Sequence, residues 1–457
     1  MRRGRAGARL ARAFVAALVL VGVVGAGGPQ TAVVPPVTAP VALTRLADEV
    51  SREVEQLRGW PFKRPVRKSR ITLADARQNL RATMLASELP EQRAREEALL
   101  RTAGLIPGDC DLVSTSLMFL EQQVAGYYVP SERTLRLVER PTPSPPFVER
   151  MILSHELTHA LDDQYIDLTR LMREGRASRD MEFVVTALSE GSATSLMLQD
   201  MVAAQKSGQF TMADLSQYVA QELERAQRLD QLPRFFSAMF GSYIVGAAFL
   251  AKGELATLLT LPDNRSIGEN LLAARRALPR SSEQILHPEK YWDPARRDEP
   301  VLIDDRAAAR WLTKPGRFIV AQDTLGEMLV AILTEPRNST RDLTKLQSTA
   351  AWTNAGASGW GGDRFYLLAR GRTAAEAGHS LKGLQAVWVT AWDTPEDRDE
   401  FLEALDQGPG IPNSAALPVA ARVAVVFVGM DAAERASLMR RLDTSPLPML
   451  QDGRPWL

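Results

Sequence analysis

Ser154-His155-Glu156-Leu157-Thr158-His159-Ala160-Leu161 is the stretch whose reading decides this chain. The chain holds only 4 histidines, and two of them stand here, one helical turn apart, with a glutamate directly after the first. On a helix that spacing puts both imidazoles on one face, where they can grip a single cation. The carboxylate of Glu156 can then reach a water on the open side of that cation. The H-E-x-x-H pattern joins a two-imidazole zinc grip to a carboxylate general base. Two imidazoles leave zinc short of the three protein ligands usual at a catalytic site, so a third must come from elsewhere.

Working outward, the helix that carries the pair is expected from about Phe147 to Tyr165, entered through the stiff connection Pro141 to Pro146. Ahead of it, Val124 to Val129 and Thr134 to Val138 have strand propensity around a turn at Pro130-Ser131-Glu132, which predicts a β-hairpin. A second helix is expected from Asp180, as N-cap, to about Ala204. Helical patterns continue over 213–228 and 233–259. Upstream, Leu43 to Arg58 reads as an amphipathic helix, Phe62 to Ile71 holds a short strand, and 72–102 reads as two helices broken near Pro90.

The third ligand cannot be a histidine at the tenth position after His155, because Tyr165 stands there and Asp162 replaces the glycine such a turn requires. The metzincin pattern is not met. Glu190, in Ala187-Leu188-Ser189-Glu190-Gly191-Ser192-Ala193, is the better candidate. A carboxylate amid small and apolar residues inside a helix is costly to bury unless it is paired or ligates a metal. Gly191 costs about 1 kcal/mol in a helix interior, which suggests that another backbone approaches there. Glu182 is the reserve ligand.

The site then holds one Zn2+ on His155, His159 and Glu190, with Glu156 as base. An oxyanion needs a further donor. His287, in a downstream loop, and Tyr243, in an apolar helix, are the candidates, against a structural histidine and a core tyrosine as alternatives. Asp163 is placed to orient an imidazole, or else closes the helix in solvent. The edge of the hairpin could pair with an extended peptide, with Val124, Gly126 and Tyr127 as contacts; a purely structural hairpin is the alternative.

Composition limits what surrounds this site. Hydrophobic content of 45% and charged content of 24% are those of a globular protein, and a net charge of zero favours no nucleic-acid partner. The basic residues Arg2, Arg3, Arg5, Arg9 and Arg12 precede an apolar run from Ala13 to Val24 and the small exit Val24-Gly25-Ala26. That is a secretory signal, cleaved or retained as a membrane anchor, over residues 1–27. Pro29, Pro35, Pro36 and Pro40 mark a linker over 28–42. The single cysteine, Cys110, excludes an intrachain disulfide. An N-terminal helical region over 43–110, which could be an inhibitory segment or an integral part, leads into a catalytic domain over 111–320. From 321 to 457 three strand-like runs, Phe365–Leu368, Ala386–Ala391 and Val423–Val428, alternate with helices at Pro395–Leu405 and Ala432–Leu442. Thr324-Leu325-Gly326-Glu327 reads as a capping box for a helix through Leu333, and Trp360 to Arg364 as a tight turn.

At His155, His159 and Glu190 the chain resembles the gluzincin clan of zinc metallopeptidases, of which thermolysin-like enzymes are familiar members. Its fuller pattern is similar to uncharacterised bacterial and archaeal metallopeptidase-like proteins in VAGYYVP (124–130), HELTHALDDQY (155–165), ALSEGSAT (187–194), SSEQILHPEKY (281–291), DTLGE (323–327) and GWGGDRFYLL (359–368). The resemblance implies a predominantly helical α+β fold, a zincin-like catalytic domain with a small C-terminal α+β module, and the same zinc ligands. It adds weight to His287. Thermolysin-like sites carry an Asp four residues after the glutamate ligand, where Thr194 stands here, so the residues supporting the ligands differ. The function expected is peptide-bond hydrolysis on a peptide or protein substrate by an exported zinc enzyme. Its alternatives are a non-catalytic cell-surface binding protein with a structural or empty zinc site, and a zinc amidase acting on cell-wall amides.

Overall fold

The structure is a computed structural model that describes residues 37–38, 41–87, 89–123, 126–139, 145–218, 233–253, 256, 258, 260–336, 349–408, 410–443 and 449–450. The expected signal over 1–27, most of the linker, Val124 and the connection 140–144 lie outside the described residues. The fold is mixed α and β and predominantly helical. Among the described residues no helix is long and apolar enough to cross a membrane.

Strand β1 (Val37–Thr38) and helix α1 (Val41–Arg58) open the chain, followed by β2 (Arg67–Thr72), α2 (Leu73–Ser87), α3 (Pro90–Thr102) and α4 (Leu112–Gln123). The expected hairpin is β3 (Gly126–Val129) and β4 (Thr134–Glu139), turned at Arg133 with φ of 52°. The sheet order is β1-β2-β4-β3, with β2 parallel to β4, so β3 is an edge.

Helix α5 (Pro146–Ile166) carries the histidine pair. Pro146 at its first position is preset for helical φ, and the chain leaves through Asp167 in the left-handed region at φ of 54°. Asp167 then caps α6 (Leu168–Gly175) by accepting from Arg170 N. Helix α7 (Arg179–Lys206) is capped by Ser178, whose hydroxyl accepts from Met181 N; the expected cap Asp180 is the second helical residue and is buried. Arg150 meets Asp200 and His159 meets Glu190, so positions advance in opposite senses and α5 and α7 run antiparallel. Helix α7 is buried nearly all round, and its buried faces carry polar residues such as Glu190, Ser192 and Asp200 among the apolar ones. A 3-10 turn at Arg234–Phe236 leads into α8 (Ser237–Leu250), followed by α9 (Arg265–Arg276), α10 (Ser282–Leu286) and α11 (Glu289–Trp292). Of the helical pattern expected over 213–228, positions 219–228 lie outside the described residues.

The C-terminal part contains β5 (Leu302–Ile303), α12 (Asp305–Leu312), β6 (Arg317–Asp323), α13 (Gly326–Thr334), β7 (Trp360–Arg370), α14 (Ala374–Ser380), β8 (Lys382–Trp392), α15 (Pro395–Gln407), β9 (Ser414–Ala420), β10 (Val423–Val428) and α16 (Ala432–Asp443). Five strands form an antiparallel sheet in the order β6-β7-β8-β10-β9. Alternate residues of its central strands point to opposite faces. Phe365, Leu367, Trp388 and Val426 join the main core, while Tyr366, Leu368, Val389 and Val425 close a second core with Trp311 and Leu438.

Two sequence readings are corrected here. Trp360 to Arg364 is the start of a strand with a bulge, not a tight turn. Thr324 does not cap α13; its hydroxyl donates to Asp363 O, and the carboxylate of Asp363 accepts from Leu325 N and Gly326 N instead. Strand β6 spans residues 317–323, across the 320/321 position, and α12 packs on the sheet in the second core.

Candidate metal centre

One turn of α5 separates His155 from His159, and their rings meet edge to face with centroids 4.7 Å apart. The Nε2 atoms lie 3.1 Å from each other, and Glu190 Oε2 lies 3.2 Å from that of His155 and 3.5 Å from that of His159. The three donors converge to within 4.8 Å, all three residues are buried, and the set could hold a metal ion. Glu190 faces the rings across the antiparallel packing of α5 and α7, and the other side of α7 lies close against α8. A Cβ on Gly191 would stand 2.1 Å from the carbonyl carbon of Gly246 in α8, so only glycine permits that backbone approach.

The electrostatics favour a shared cation. Burial works against charge on Glu190, but His159 and hydrogen bonds from both rings outweigh it and bring its carboxyl down to about 2. Burial likewise opposes the His159 imidazolium, yet the Glu190 carboxylate holds that ring up at about 9. The His155 ring, desolvated and beside His159, is pushed down. Two imidazoles and a carboxylate thus converge where a divalent cation would satisfy all three. Imidazole nitrogen and carboxylate oxygen are a donor set that suits zinc.

Glu156 points elsewhere on the same helix. Its Oε2 accepts the Tyr128 N–H of edge strand β3 at 2.7 Å. Burial, opposed by His159, raises its carboxyl to about 8. Strand β3 pairs only with β4 in its sheet, and this contact with Glu156 is made by a residue of that edge strand. Tyr243 of α8 lies with its ring stacked on His155 at 5.8 Å. Ser189 Oγ lies 3.3 Å from His159 Nδ1, holding the ring that presents Nε2 to Glu190.

Other expected residues are placed differently. Asp163 orients no imidazole; it accepts from Tyr128 Oη at 2.9 Å and from Leu168 N at 2.9 Å. Thr194 is buried with no partner for its hydroxyl among the described residues, so it does not stand in for the absent Asp. His287 Nε2 donates to Glu327 Oε1 at 2.9 Å, so that nitrogen is engaged away from the triad. The Tyr127 side chain packs in a core with Ala76, Leu80 and Val113, and Gly126 lies tight against Leu137 and Ile152. Glu182 pairs with Arg179 and is no ligand of this set.

Sequence reasoning missed Tyr128 and Ser189. Ser189 could have been found as the hydroxyl beside a proposed ligand on the same helix; the Tyr128 contact depends on where a strand crosses α5. A second acidic cluster, Glu283, Asp298 and Asp393, surrounds Lys290 Nζ at 2.6, 3.0 and 2.7 Å. The ammonium already occupies its centre.

Comparison with known proteins reaches only the C-terminal sheet. Residues 316–433 match a family described as a domain of unknown function, DUF8575. No curated protein and no solved structure matches the chain.

Proposed function

We propose that this protein is a zinc-dependent peptidase of gluzincin type with a zincin-like catalytic domain, exported through its N-terminal segment. The observation that carries the reading is the buried convergence of His155 Nε2, His159 Nε2 and Glu190 Oε2, with Glu156 on the adjoining face of the same helix. His155, His159 and Glu190 would hold the zinc. When bound, zinc supplies a Lewis acid that acidifies water and polarises a carbonyl.

The remaining chemistry belongs to the chain's own residues. Glu156, buried on the ligand helix, would accept the water's proton and return it to a departing amine. The Tyr128 N–H fixes which carboxylate oxygen stays engaged and leaves the other for the water. Edge strand β3 offers backbone groups to an extended chain, which suits a peptide substrate. Tyr243, against His155, is the better placed of the two oxyanion-donor candidates.

Zinc stoichiometry and cleavage of casein or a peptide library, measured for the wild type and Glu156→Gln, test this reading. About one zinc in both proteins and activity only in the wild type are expected. A zinc-loaded wild type that cleaves no peptide but releases amines from cell-wall fragments would move the substrate to non-peptide amides. Loading without any turnover would leave a binding protein.

A further inference from the structure

Helix α1 sends one side chain into the interior between the two ligand helices. Arg58, its last residue, is fully buried. Its Nη2 donates to Ser192 Oγ at 2.6 Å and to Asp162 Oδ2 at 3.1 Å, and Ser192 Oγ donates to the same Asp162 Oδ2 at 2.6 Å. Asp162 lies three residues after His159 on α5, and Ser192 two residues after Glu190 on α7. One guanidinium therefore ties the two helices together within a turn of the ligands each contributes.

The arginine is itself held in place. Its guanidinium lies 5.2 Å from the centre of the Trp60 ring, Trp60 stacks on Tyr165 at 4.6 Å, and Asn264 N donates to Leu57 O at 2.7 Å. A Cβ on Gly268 of α9 would meet Arg58 Cδ at 2.9 Å, so the stem has no room to swing.

We infer that Arg58 is a positioning residue of the metal centre, setting the register of α5 against α7 through Asp162 and Ser192. Helix α1 is then an integral part of that centre rather than a removable inhibitory segment. The inference rests on reading the triad as a metal centre. Metal-ligand distances tolerate only about 0.2 Å of misplacement, so a clamp this close to both ligand helices acts on affinity. Both bonds come from Nη2 at the far end of the guanidinium, a point that the ammonium of lysine, on its shorter stem, does not reach from the same backbone position.

The test uses the full chain as wild type, Arg58→Lys, Ser192→Ala and the charge-neutral pair Arg58→Met with Asp162→Asn. Zinc affinity is measured by competition with a chelator, the visible absorption of the cobalt-substituted protein reports ligand geometry, and thermal melting of the metal-free form reports folding. The expected result is about 10- to 100-fold weaker zinc binding in the arginine variants, the range for losing a residue that orients ligands, with an altered cobalt spectrum. Should Arg58→Lys fail to fold, the charge-neutral pair decides. Wild-type zinc affinity and an unchanged cobalt spectrum in folded arginine variants would reduce Arg58 to a stabilising contact and overturn the inference. A wild type that binds neither metal would instead remove the metal centre, and the inference with it.

Discussion

Glu190 illustrates how one carboxylate can be costly alone and fitting in company. It is buried on a helix lined with small and apolar side chains, and its charge is balanced only by the two imidazoles it faces. Removing it as Glu190→Ala is expected to abolish tight zinc binding while leaving the helices formed, checked by metal content and circular dichroism. Retention of zinc at wild-type affinity would take Glu190 out of the ligand set. A second buried acid gives a pH prediction away from the centre. Burial raises Asp180 to about 7 against hydrogen bonds from Ser282, with Asp363 and Glu327 adding to the rise. A folded pKa above the unfolded one favours the folded state fully below about 3.9, and that contribution is lost as pH rises through 7. Asp180→Asn should therefore melt lower than the wild type at pH 4 relative to pH 8, and parallel melting curves across that range would sink the assignment. Both histidines and Glu156 were legible in the sequence, since i,i+4 spacing is local. The partners of His287 and Asp163 were not, because Glu327 and Tyr128 lie 40 and 35 residues away in the chain.

At the scale of elements, the contact of α7 with α8 depends on two glycines. A Cβ on Gly246 would lie 1.9 Å from Ala187 O, and one on Gly191 would meet the Gly246 backbone. Gly191→Ala is expected to destabilise the fold by about 3 kcal/mol, at the upper end for overpacking, and to weaken zinc binding as Glu190 shifts. Denaturant unfolding and zinc titration measure the two effects; a variant as stable as the wild type would show that α8 moves away without cost. Asp363 plays a comparable part between the sheet and α13. Its carboxylate accepts from Leu325 N, Gly326 N, Trp360 Nε1 and Trp388 Nε1. Asp363→Ala leaves those donors buried without an acceptor and should cost about 3 kcal/mol or more, read as a lowered denaturation midpoint. Helices α5 and α7 and the hairpin were legible because periodicity and turn chemistry act over a few residues. Strands β6 and β9 were not: they are the sheet's edges, largely half-exposed, and their apolar residues run on without the in-and-out alternation that marks a strand. The capping of α13 was misread for the related reason that the effective carboxylate comes from a strand 37 residues on.

For the whole molecule, the N-terminal region is woven into the part that bears the candidate site. Val50 and Val54 of α1 share a core with Leu153, Leu157 and Leu161 of α5, and β2 pairs with β4 beside the hairpin. Each such buried side chain is worth about 1.5–3 kcal/mol. A chain begun after residue 58 is thus expected to lose cooperative unfolding and zinc binding together. A truncated protein that folds and binds zinc would restore the separable-segment reading. By itself the sequence determined the paired imidazoles, the adjoining carboxylate, the helices that present them and the mixed, mainly helical class, because these follow from spacing and propensity within a few turns. Only the tertiary structure decided that Glu190 meets both rings, that Tyr128 engages Glu156, and that Arg58 bridges Asp162 and Ser192. Those contacts span distances along the chain over which no local preference acts, so they exist only once the core has closed around them.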